Sequence, residues 1–268
     1  MPSPMRWYSV ADGNHWVLAE RLTKQLADDP SFEARCRRVD DLGAAPRRAA
    51  GGPRVQAFKL GEFARLCDTE RAPFVWSDAD VQALGPVSAL RARIDAELAA
   101  HGAADLLAQR ECADAGVNVG FLVARPSPRL AAFARRWRAE VLATGALDQK
   151  ILDRIALAGD DPVAVRRLPA AFWASSHVAP PDLEALVLHH ANFVLDEARR
   201  PATDLAPKLA QLDLVRACRE RGDRAAFAAF VGAVRGDASL ARYRARHFPP
   251  AAVDAWAARE RAAAAAPG

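Results

Sequence analysis

The chain has 268 residues, 51% of them hydrophobic and 26% charged, enough for one large soluble domain or two small ones. Its net charge of +4 is dispersed, and no Lys/Arg block interleaved with aromatics argues for a nucleic-acid partner. With no bilayer-length apolar run and no visible signal peptide, a cytoplasmic protein without a transmembrane segment is expected. Cys36, Cys67, Cys112 and Cys218 lack metal-ligand spacing and read as small buried hydrophobes in a reducing compartment.

Taken in order, residues 6–10 read as a first strand. The turn signal Ala11-Asp12-Gly13-Asn14 follows, then an amphipathic helix over residues 16–26. Strand, polar turn and helix open a βα unit, and such turns hold ligands in some α/β proteins and nothing in most. Residues 32–39 alternate in polarity and read as a strand near a sheet edge. Residues 43–53 read as a loop. A helix over residues 58–67 carries Lys59 at its start, a Lys within reach of a phosphate or of solvent.

Phe74-Val75-Trp76 is a short β-branched and aromatic run after Pro73, expected to be a buried strand. It ends in Ser77-Asp78-Ala79-Asp80. Charged groups avoid an interior unless paired, so Asp78 and Asp80 are expected at the rim, by the strand's carboxyl end. That rim is where open α/β sheets bind ligands. Two hard oxygen donors there suit a divalent cation and, through it, a phosphate-bearing ligand, although Asp-x-Asp alone also marks solvated turns. A helix from Pro86 to about residue 100 comes next.

After a short apolar run at residues 104–108 and a polar stretch at 109–116, Val117–Ala124 reads as a strong strand. Asn118 and Gly120 are out of place in a purely structural strand. A glycine there marks a bulge, or the close approach of a ligand or another backbone. Ser127 opens a helix that Gly145 breaks, and Asp148-Gln149 begins another, either as caps or as site residues. Residues 163–172 read as strand then loop. Leu186–Phe193 is an apolar strand ending in His189-His190-Ala191-Asn192. Adjacent histidines point to opposite faces of a strand, so at most one can share a site with the aspartates. Beyond Lys208 the pattern is helical to the end.

These ordered motifs resemble bacterial glycosyltransferases of the GT-A fold, in the nucleotide-diphospho-sugar transferase group. The likeness rests on Phe58-Lys59, Trp76-Ser77-Asp78-Ala79-Asp80-Val81, Val117-Asn118-Val119-Gly120-Phe121-Leu122, Leu147-Asp148-Gln149, and His189-His190-Ala191-Asn192 with Lys208. It covers about three quarters of the chain. It implies an α/β, Rossmann-like, mostly parallel central sheet flanked by helices over residues 1–208. The C-terminal helical extension, residues 209–268, would pack on it and matches no family feature.

The resemblance also implies Mn²⁺ (or Mg²⁺) held by Asp80, by Asp78 directly or through water, and by His190, which fits the His-Ala-Asn position better than His189. Asn118 and Gly120 would line the donor-sugar pocket. Asp148 and Gln149 would hold donor-sugar or acceptor hydroxyls and carry the catalytic role. Lys208, and Lys59 on the helix before the metal strand, would meet phosphate. Ala11 and Asn14 would lie near base and ribose. The expected partners are a nucleotide-sugar donor, UDP-sugar first, and a glycan, lipid or protein acceptor.

Two rivals remain at this point. One is a haloacid-dehalogenase-like phosphatase with Asp78 as nucleophile and Asp160-Asp161 as its distal acidic motif. The other is a nucleotide-sugar-binding relative without turnover.

Overall fold

The computed structural model describes residues 3–39, 53–112, 115–158, 162–177, 182–193 and 205–265. The loop expected at 43–53 lies outside these residues except for Pro53, and so does Asp160-Asp161.

The opening strand β1 spans Met5–Asp12 and the helix α1 Trp16–Ala27. Next, β2 (Phe32–Val39) pairs parallel with β1 at the edge of the sheet, as its polar alternation implies. Helix α2 (Pro53–Thr69) leads into β3 (Phe74–Ser77), every residue of which is buried. Trp76 packs against Phe63 of α2, and Phe74 meets both Phe63 and Tyr8. Further along come α3 (Val87–Ala100), β5 (Leu106–Cys112) and β6 (Ala115–Ala124). Helices α4 (Pro128–Thr144) and α5 (Asp148–Ala158) precede β7 (Val165–Arg167). Ser127 caps α4 by accepting from Leu130 N–H, and Gly145 ends it at φ 66°, a left-handed conformation that favours glycine.

The main sheet runs β2-β1-β3-β6-β5-β7. Only β6 runs against its neighbours, so the sheet is mostly parallel. Helices α2, α4 and α5 bury one face around Phe63, Phe133 and Trp137. Helices α1 and α3 bury the other around Leu22, Leu90 and Ile94.

Two features differ from the sequence reading. The polar stretch at 109–116, without an element in the sequence, contains strand: Gln109 and Glu111 are buried inside β5. In addition, the residues after Asp80 form β4 (Val81–Ala83), which joins a second, small sheet with β8 (Phe172–Ala174) and β9 (Leu188–His190) in the order β4-β9-β8. A three-residue strand carries too little periodicity to be read from sequence. This small sheet brings His190 opposite Val81.

The C-terminal helices are α6 (Leu205–Arg221), α7 (Arg224–Gly236), α8 (Ala238–His247) and α9 (Pro250–Ala265). Phe227, Phe230 and Val234 of α7 pack on Trp173 and Leu186 of the small-sheet region. Phe248 and Trp256 join the core under α4 and α5. Helix α6 starts before residue 209, so Lys208 is carried in its first turn. Among the described residues no helix is long and apolar enough to cross a membrane.

Candidate active site

The Asp78–Asp80 turn is pinned on both sides by backbone hydrogen bonds. Asp78 N–H donates to the Gly120 carbonyl at 2.9 Å, and the Asp80 carbonyl accepts from Ala191 N–H at 2.9 Å. Ser77, just before the turn, accepts from Trp7 Nε1 at 2.7 Å. The two aspartates therefore sit where the main sheet, through β6, meets the small sheet, through β9.

Ligand atoms of Asp78, Asp80 and His190 all lie within 4.8 Å of one another. His190 Nε2 is 3.2 Å from Asp80 Oδ1 and 3.9 Å from Asp78 Oδ2. On the other side of the ring, Nδ1 is 3.0 Å from Gln109 Oε1. Gln109 uses its Nε2–H to donate to the Phe172 carbonyl at 3.1 Å, which leaves Oε1 as an acceptor toward the imidazole. Nδ1 therefore carries a proton, and whenever the ring is neutral its lone pair is on Nε2. Among the described residues, that buried atom has no protein partner other than the carboxylates, with Asp80 Oδ1 nearest at 3.2 Å. A lone pair facing two carboxylates is repulsive unless a positive species, a proton or a cation, lies among them. A neutral imidazole held through its other nitrogen, with two hard oxygens opposite, is a donor set that fits a divalent metal.

His189 takes the opposite face, as its strand position requires. It is fully buried, stacks on Trp173 at 5.1 Å, and meets Gln82 and Ser175. Burial first, then the neighbouring His190, pushes its pKa down to about 3.

Gly120 makes room for the His190 imidazole. A Cβ built on it would collide with His190 Cε1 and come within 2.7 Å of Nε2. The close approach anticipated at this glycine is thus that of a side chain from β9, and the donor-sugar role expected for it has no open space at its Cα. The strand deforms around this point. Its register against β5 jumps from Ala108↔Leu122 to Gln109↔Asn118, a bulge of the kind that re-aims side chains beside functional sites. Asn118 is likewise buried rather than facing open space. It donates to Glu111 and accepts from Gly120 N–H at 2.8 Å.

The two lysines both reach the aspartates. Lys59 Nζ pairs with Asp78 Oδ1, and Lys208 Nζ with Asp80 Oδ2. Burial works to raise the Asp80 pKa, but Lys208 and His190 outweigh it and hold the carboxyl well below the usual carboxylate range. Burial likewise acts against the Lys59 ammonium. Asp78, then the more distant Asp148 and Asp80, keep its pKa above the ordinary lysine value.

Asp148 lines a narrow cleft with Lys59, Asp78, Trp76 and Trp137. Its carboxylate also accepts from Gln149 N–H at 2.8 Å in the first turn of α5. Burial raises its pKa, with Lys59 opposing. Gln149 turns to α8, where its Nε2–H donates to Tyr243 Oη at 3.1 Å. The methyl of Ala11 is packed among Leu18, Ala79, Ala191 and Leu212, and Asn14 is exposed in the turn that follows β1.

Sequence reasoning missed Gln109, Glu111, Ser176 and Tyr243. Glu111 is buried and accepts from Asn118, from Ser176 Oγ at 3.0 Å and from Asn192 Nδ2 at 3.4 Å. The available signal was polar residues at alternate positions directly after an apolar strand run.

Among solved structures, the chain is similar to a glycosyltransferase involved in the glycosylation of the major capsid of PBCV-1. That match has a TM-score of 0.52 at 10% identity over 73% of this chain and 96% of that one. It is also similar to the glycosyltransferase GlyE of Streptococcus pneumoniae TIGR4, with a TM-score of 0.50 at 13% identity over 70% of this chain and 54% of that one. The chain thus corresponds to about half the length of GlyE. No protein-family model matches the sequence, and neither does any curated protein. At these identities the likeness is one of fold. The architecture is the GT-A fold of glycosyltransferases: a mostly parallel sheet flanked by helices, followed by a C-terminal helical part.

Proposed function

We propose that this protein is a metal-dependent glycosyltransferase that moves a sugar from a nucleotide diphosphate sugar, a UDP-sugar first, to a glycan, lipid or protein acceptor. One observation carries the reading: the Nε2 of His190 faces the carboxylates of Asp78 and Asp80, with ligand atoms of all three within 4.8 Å of one another, at the rim of a GT-A sheet.

In this reading Asp78, Asp80 and His190 hold Mn²⁺ (or Mg²⁺), with Gln109 fixing the imidazole. The cation would act as a Lewis acid on the departing nucleoside diphosphate. Lys59 and Lys208 add positive charge where negative charge builds up on the leaving group. Asp148 and Gln149 hold donor-sugar or acceptor hydroxyls, with Asp148 kept in place by Gln149 N–H and Gln149 by Tyr243. Residues 1–208 form the nucleotide-sugar module and residues 209–268 the helical part packed on it. A cytoplasmic setting suits four cysteines that are all unpaired.

The phosphatase alternative is weaker, since Asp78 follows the third strand rather than an N-terminal one. A screen of UDP-, GDP- and dTDP-sugars for Mn²⁺-dependent donor hydrolysis tests the proposal. Turnover of one donor is expected. Metal-dependent binding without turnover would point to the non-catalytic relative. Absence of both would remove the glycosyltransferase reading.

A further inference from the structure

Lys208 reaches Asp80 from helix α6, so its place depends on how that helix is set against the small sheet. The apolar residues that α6 buries, Leu212, Val215 and Cys218, hold it without direction. A second set of contacts is directional. Gln82, Ser175, His189 and Gln211 are all buried, and they come from β4, the turn after β8, β9 and α6. The orientation of each group follows from the one before. The Leu212 carbonyl can only accept, so the Gln82 amide nitrogen donates to it, at 2.8 Å. The same nitrogen lies 3.2 Å from His189 Nδ1, which must then accept. The proton of this neutral ring is therefore on Nε2, which donates to Ser175 Oγ at 3.1 Å. Ser175 in turn donates to the His190 carbonyl at 3.1 Å and accepts from the Gln211 amide of α6.

Two rungs thus join the same two stretches. Lys208 pairs with Asp80; four residues further along the helix, Leu212 accepts from Gln82, two residues beyond Asp80. Four helical residues rise about 6 Å and two extended residues about 7 Å, so the rungs match. A slip of one helical turn would carry Lys208 about 5.4 Å from Asp80 and strand the buried donors and acceptors of the network. We infer that the Gln82–His189–Ser175–Gln211 network fixes the register of α6, which makes His189 and Gln211 positioning residues for Lys208. The inference rests on the reading of Lys208 as a group that meets the diphosphate. It gives a task to the imidazole that the cation group does not use.

The test is a double-variant cycle of Gln211→Met, close to glutamine in volume, with Lys208→Met in the intact chain. Lys208→Gln takes the place of Lys208→Met should the latter fail to fold. In calorimetric titration with Mn²⁺–UDP, Lys208→Met loses about tenfold or more in affinity. Gln211→Met loses about threefold or more when Lys208 is present and nothing further when it is not. Equal losses in both backgrounds mark a merely structural role and overturn the inference, as does a Gln211→Met variant that binds like the wild type. Val215→Ala loosens the apolar side of α6 without touching the network, and its cost in stability should be independent of Lys208; a coupling to Lys208 as large as that of Gln211 also overturns the inference. If Lys208→Met binds the complex like the wild type, or the wild type binds none, it is the diphosphate reading of Lys208 that fails. The same cycle followed by urea unfolding without ligand then decides the register by itself. Losses that sum to less than their parts support it, and additive losses overturn it.

Discussion

Gly120→Ala is the smallest change that probes how the site is assembled. The added methyl would fall on His190 Cε1 and Nε2, yet the Gly120 backbone lies outside the left-handed region, so alanine brings no φ strain of its own. His190 is 1% exposed, so the ring cannot swing into solvent without leaving the core. Overpacking of this kind costs about 1–3 kcal/mol. At roughly 2–4 °C per kcal/mol for a chain of this size, melting should fall by several degrees. The assay is thermal unfolding of Gly120→Ala, His190→Ala and the double variant. Removing the imidazole leaves room for the methyl, so Gly120→Ala should cost close to nothing in the His190→Ala background. The coupling between the two changes then equals most of the single-variant cost. An equal cost in both backgrounds would refute the contact. Mn²⁺ affinity should also fall in Gly120→Ala, because the displaced ring no longer presents Nε2 to the aspartates.

Other outcomes follow from the same geometry. Gln109→Leu removes the acceptor for His190 Nδ1–H and should weaken Mn²⁺ binding about 10–100-fold, as loss of such a supporting contact does elsewhere; an unchanged titration would show that the tautomer is fixed by other means. His189→Ala should lower stability by about 2–5 kcal/mol, from the cavity beside Trp173, and spare Mn²⁺ binding, whereas His190→Ala should do more harm to the metal than to the fold. Equal effects on the metal would mean the wrong imidazole was assigned. Asp153 is buried beside Val117 N–H and Lys150, with Glu111 nearby, and burial raises its pKa to about 6. A carboxyl that holds its proton more tightly when folded gives stability that is full below about pH 4 and lost as pH rises through 6. Relative to Asp153→Asn, the wild type should therefore lose about 3 kcal/mol between pH 4 and 7, measured by urea unfolding across that range. A flat difference would place Asp153 in contact with water.

The long periodic elements were legible in the sequence because burial imposes a period over many residues. This holds for β2 at the edge and for the C-terminal helices, while four-residue β3 was legible as an apolar, aromatic run after Pro73. The gathering of Asp78, Asp80 and His190 was legible for a related reason: the acids follow one apolar strand and the histidine ends another, which marks a rim. What lay beyond reach was pairing at a distance. β4 and β9 are three residues each, and only their partnership places His190 over Gly120. Gln109 and Glu111 read only as a polar stretch because the register shift at Ala108/Gln109 interrupts the run that would have marked their strand. Tyr243 sits on a helix with no strand or motif context, so nothing local tied it to Gln149.

The most direct measurement is a thermal shift of wild type and Asp80→Ala with UDP, Mn²⁺, and both. Wild-type chain should be stabilised by the pair well beyond either component alone, and Asp80→Ala should remain folded and show no metal-dependent gain. Undiminished Mn²⁺-dependent stabilisation of Asp80→Ala by UDP would contradict the assignment of the site.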